Sequence, residues 1–152
     1  MKVVIDTNVL INANRGVHSY PARILQAVLD GELDAYASPR MKKEHRLIRE
    51  RIIRDPEMHA LLDDYLDVVR DIIPRERLNV VLTDDEDNKF VETAVEAGAS
   101  HIITNDHDLL DLGSYEGIQM VTPQEFWIHF EKQRDPDGSA SWNSWFSGIM
   151  GS

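Results

Sequence analysis

Short apolar runs alternate along the chain with stretches whose apolar residues recur every three to four positions. Lys2–Ile5 is a β-branched run that predicts a buried strand, closed by Asp6-Thr7-Asn8, residues that favour helix caps. Between Ser19 and Asp30, Ile24, Leu25, Val28 and Leu29 share one face and Pro21 suits a first turn, so a helix is expected. Asp34–Ala37 reads as a second strand. Ser38-Pro39 then supplies an N-cap and a proline that open a helix reaching about Arg54. Asp55-Pro56 breaks it, and a further helix is expected over about Glu57–Ile72. Asn79–Leu82 predicts a third strand, and Asn88–Ala97 a helix ending at Gly98. His101–Thr104 and Gln119–Val121 predict the fourth and fifth strands. Thr122-Pro123-Gln124-Glu125 matches a capping box that opens a last helix through about Lys132.

Strands alternating with helices in this order define an α/β fold, with a central, mostly parallel sheet of about five strands flanked by helices. The 152 residues suit one domain, expected over residues 1–134. Residues 135–152 read as a linker and a short apolar tail. In that tail Trp142, Trp145, Phe146, Ile149 and Met150 fall at helical spacing, which suits docking on the domain itself, on a second copy or on a partner.

Charge changes the picture in one respect. A net charge of −11 argues against indiscriminate coating of nucleic acid, because affinity for phosphates comes from cations. Yet Arg40, Lys42, Lys43, Arg46, Arg49, Arg51 and Arg54 place 7 of the 16 cations in one 15-residue stretch. That stretch is either a solvated helix face or a phosphate-guiding strip, for which Lys42, Lys43, Arg46 and Arg49 are the candidates. There is no cysteine, which excludes disulfides, thiolate catalysis and cysteine-bound zinc and accords with a cytoplasmic location. No stretch approaches the roughly 18 apolar residues of a membrane span.

The acids carry the chemistry. Ligands of open α/β sheets bind beyond the carboxyl ends of the strands. Asp6 follows the first strand. Asp84, Asp85 and Asp87 follow the third, and Asp106 and Asp108 the fourth, while Glu44 lies early in the helix after the second. Any one of them, Asp87 and Asp106 included, equally suits a helix cap. Asp6 is different, since an acid after a buried strand is costly unless paired or liganded. Grouped carboxylates repel, so they take up protons or a cation; hard oxygen donors select Mg²⁺ or Mn²⁺. Such ions suit hydrolysis of a phosphodiester by an activated water.

Four segments resemble PIN-domain nucleases across about Met1–Lys132. They are Val4-Ile5-Asp6-Thr7-Asn8-Val9-Leu10, Ser38-Pro39 followed by Glu44, Asp84-Asp85-Glu86-Asp87-Asn88-Lys89-Phe90-Val91-Glu92, and Ile102-Ile103-Thr104-Asn105-Asp106-His107-Asp108-Leu109-Leu110. The resemblance is to the bacterial and archaeal branch related to VapC-type toxins of toxin–antitoxin pairs. It implies a metal-dependent endoribonuclease in which Asp6, Glu44, Asp87 and Asp106 form the acidic quartet that binds Mg²⁺ or Mn²⁺. Asp108 is auxiliary, and Asn8 and Thr104 are polar supports. It further implies RNA as substrate, with an antitoxin protein or a second copy of the chain as partner. Asn105 stands where many relatives have Gly, and either Asp84 or Asp85 rivals Asp87 as third ligand. The alternative is a PIN-fold module that binds RNA or protein with little or no catalysis. An Asp-nucleophile phosphatase on a similar sheet would want an acid where Asn8 stands.

Overall fold

The computed structural model describes residues 1–81 and 84–138. In chain order the elements are β1 (Lys2–Ile5), α1 (Thr7–Asn12), α2 (Tyr20–Leu29), β2 (Asp34–Ala37), α3 (Pro39–Arg51), α4 (Pro56–Val68), β3 (Arg70–Asp71), α5 (Asn88–Ala97), β4 (His101–Ile103), α6 (His107–Leu112), β5 (Ser114–Tyr115), β6 (Ile118–Val121) and α7 (Pro123–Arg134). One-turn 3-10 segments follow α1 and precede α5.

The strands form a six-stranded sheet in the order β3-β2-β1-β4-β6-β5. All neighbours run parallel except the β5–β6 margin. β1 sits inside the sheet, and Val3, Val4 and Ile5 have no exposed surface, as a continuous β-branched run predicts. The chain steps from β1 to β2 on one side, whereas β4 lies on the other, so strand order reverses between β1 and β4. That reversal opens a crevice at the carboxyl ends of the two strands. Helix α5 packs on β1, β2 and β4, and α2 packs on α4 and α7. No helix among the described residues is long and apolar enough to cross a membrane.

The caps follow the sequence closely. Ser19, Ser38, Asp55 and Thr122 each accept a backbone N–H in the first turn of the helix that they open. Gly98 ends α5 with φ of +66°, a conformation that glycine adopts without strain.

Three expectations are corrected. The sheet has six strands rather than about five. Asn79–Val81 form no strand, because the Val80 and Val81 N–H groups donate to the Asn88 side chain (3.0 and 2.8 Å) instead of to a neighbouring strand. Leu82, the last residue of that expected strand, lies outside the described residues. The margin beside β2 is taken by β3, and the helix expected to run to Ile72 stops at Val68 to release it. Residues 139–152, including the apolar tail from Trp142 to Met150, also lie outside the described residues.

Candidate metal centre

Backbone ladders bring the acids to the crevice. The Asp6 N–H donates to the Ile103 carbonyl (2.9 Å), which extends the β1–β4 pairing by one residue. The Thr104 N–H donates to the Val121 carbonyl (2.9 Å) and extends β4 along β6 in the same way. Asp6 and Thr104 therefore stand side by side at the strand ends. The Thr104 hydroxyl donates to Asp6 Oδ2 (2.7 Å) and accepts from the Asp106 N–H (2.9 Å). Asp106 Oδ1 accepts from the Asp108 N–H (2.9 Å), which caps α6, while Asp6 Oδ1 accepts from the Asn8 N–H and caps α1. Capping and membership of the acid group are thus not alternatives: the helix start aims each carboxylate.

Asp84, Asp87 and Asp108 each offer a carboxylate oxygen, and the three lie within 4.8 Å of one another. Asp87 is 6% exposed, and its Oδ2 is buried with no hydrogen-bond partner. An unpartnered carboxyl oxygen beside two further acids fits a hard divalent cation, which would supply the missing partner. Asp84 enters here in its own right, where the sequence left it a rival to Asp87.

The site strains its own charges. Burial pushes the Asp87 carboxyl up to about 8, helped by its contact with Asp106 and by repulsion from Asp106, Asp84 and Asp6. Burial also raises Asp6, with Asp106 and Glu44 adding repulsion, and outweighs its hydrogen bonds from Thr104 and Asn8. Glu44 is the exception. Burial acts to raise it, but hydrogen bonds from Lys89 and Thr7 and the lysine's charge hold it below the usual carboxylate range.

Glu44 lies on α3 and is engaged at both oxygens: Oε1 accepts from the Thr7 hydroxyl and Oε2 from Lys89 Nζ at 2.6 Å. Asn8 acts through its backbone, and its side chain faces solvent. Asn105 needs no left-handed backbone, since among the described residues the non-glycine at positive φ is Glu116. In the basic stretch, Lys42 is buried against Asp71 (2.8 Å) and Arg49 is paired with Asp63 (2.8 Å), while Lys43 and Arg46 are exposed.

Sequence reasoning missed Thr7 and Lys89, two buried donors in the site. A lysine in the first turn of a helix, where the backbone dipole disfavours a cation, was the available signal for the second.

This constellation on a parallel sheet defines a class of carboxylate-bearing nucleases. Residues 2–108 match the PIN domain family, and the chain belongs to it. The chain is also 34% identical over 146 residues to an uncharacterized protein of Methanocaldococcus jannaschii, a match covering 87% of this chain and 93% of that one. PIN domains are in general metal-dependent nucleases, and the acid group accords with that class.

Proposed function

We propose that the protein is a Mg²⁺- or Mn²⁺-dependent endoribonuclease that hydrolyses RNA phosphodiester bonds with an activated water. The observation that carries this reading is the buried, unpartnered Oδ2 of Asp87 among acids brought together from the segment before α5 and the start of α6. Asp84, Asp87 and Asp108 would hold the ion, with Asp6 and Asp106 fixed beside them by Thr104. A bound divalent ion supplies Lewis acidity, which favours loss of a proton from water and offsets charge on the phosphate oxygens. The exposed Lys43 and Arg46 are suited to draw in the RNA backbone, whereas Lys42 and Arg49 are occupied by carboxylates.

The test is cleavage of single-stranded RNA by the metal-loaded protein. Asp87→Asn and Asp106→Asn are each expected to lower the rate by more than about a hundredfold while leaving a folded protein. Wild-type rates in either variant would refute the assignment. The role of toxin in a toxin–antitoxin pair, in the cytoplasm, rests on the four-segment resemblance. It predicts growth arrest on expression, relieved by co-expression of a small protein encoded beside it.

A further inference from the structure

Lys89 is buried, at 6% exposure, in the first turn of α5. Burial and the helix dipole both disfavour a cation there, so its place needs a compensating anion. Glu44 supplies one through Oε2 at 2.6 Å, with Glu86 further off at 3.6 Å. The ring of Phe90 lies 5.1 Å from the ammonium. Glu44 in turn is engaged at both oxygens, because Thr7 donates to Oε1. The three acids whose oxygens converge are Asp84, Asp87 and Asp108, and Glu44 is not among them. Its charge nonetheless reaches Asp6.

We propose that Lys89 is a positioning residue that stands in for a second metal ion: its ammonium fixes Glu44 and limits the centre to one divalent cation. The inference rests on the metal-centre reading above and adds the ion count and the residue that sets it. Where many carboxylates share a crevice, each further ion is recruited by anionic charge that no protein cation has met. Lys89 meets the charge of Glu44 in advance. Without it, Glu44 and its neighbour Asp6 would present an uncompensated pair of acids to solvent cations.

Titration of the metal-stripped full chain with Mn²⁺, read by calorimetry, decides the matter. The wild type and Lys89→Arg are expected to bind one ion. Lys89→Met is expected to bind two, and Lys89→Met combined with Glu44→Gln, which restores the balance of charge, to bind one again. Two ions in the wild type, or one in Lys89→Met, would overturn the proposal. A purely structural ion pair would change the melting temperature and leave these counts alone. Should Lys89→Met fail to fold, Glu44→Gln decides instead. It leaves the lysine uncompensated and is expected to weaken Mn²⁺ binding about tenfold, with recovery in the double variant. An unchanged affinity would overturn the proposal. RNA cleavage in the same samples separates the two readings. A wild type that binds one ion without cutting RNA refutes the nuclease and spares Lys89. A wild type that binds no ion refutes both.

Discussion

The Thr104 hydroxyl joins two acids, donating to Asp6 and accepting from the backbone of Asp106, and Thr104 has no exposed surface. Thr104→Val keeps the shape and removes both bonds. It leaves the partly buried Asp106 N–H without this acceptor and Asp6 without its donor, so a loss of about 1–3 kcal/mol is expected in urea denaturation. Weaker Mn²⁺ binding should accompany it, while Thr104→Ser retains both bonds and most of the affinity. Residues of this kind are partly legible in sequence. Asp6, Asp106 and Asp108 are visible because they follow strands, Thr104 because it closes one, and Asp87 because it stands at the start of a helix. Lys89 and Thr7 are not, since their shared partner Glu44 lies 45 and 37 positions away and only the folded chain joins them.

Among elements, the segment before the acids is held by one side chain. Asn88 accepts from the N–H groups of Val80 and Val81 and donates to the carbonyls of Val81 and Asp85. This clamp replaces the ladder that Asn79–Leu82 was expected to form, because a short apolar run reports burial and not the identity of the hydrogen-bond partner. Asn88→Ala strands two N–H groups and is expected to cost about 2–4 kcal/mol, measured by thermal or urea melts. Asn88→Asp keeps the acceptor and should recover part of the loss. Helix α1 was hidden for a related reason: Val9 and Leu10 continue the apolar run of β1, and only the cap at Asp6 marks the change. The same cap makes Asp6→Asn a clean variant. Asparagine caps as well as aspartate, so the helix should persist in circular dichroism while Mn²⁺ binding weakens through loss of a neighbouring negative charge.

At the scale of the molecule, crowded acids make the metal-free protein weaker than its fold alone would be. Mn²⁺ at a hundred times its dissociation constant is expected to raise the melting temperature by roughly 5–10 °C, reversed by a chelator. No shift would speak against the centre. Acid should act through histidine. His45 is buried with neither ring nitrogen bonded, and burial pushes it down to about 4. Between pH 6.5 and 4 the unfolded chain therefore takes up a proton that the folded chain refuses. The histidine's contribution is complete above pH 6.5 and lost as the pH falls, by up to about 3 kcal/mol. His45→Met should flatten that part of the stability profile relative to wild type. The general architecture was legible because the helices of ten residues or more carry a cap or a periodicity, whereas α1 and α6 are capped but too short to show a period, and the two marginal strands carry no pattern in two residues. Those margins have a consequence of their own. Among the described residues the marginal strands of the sheet are Arg70–Asp71 and Ser114–Tyr115, each of two residues, so a foreign strand meets little edge backbone to pair with, and on one side it meets charge. Edge-to-edge pairing between molecules is thereby discouraged. Concentrated solutions of the folded protein should stay free of fibres even where its nuclease centre has been disarmed.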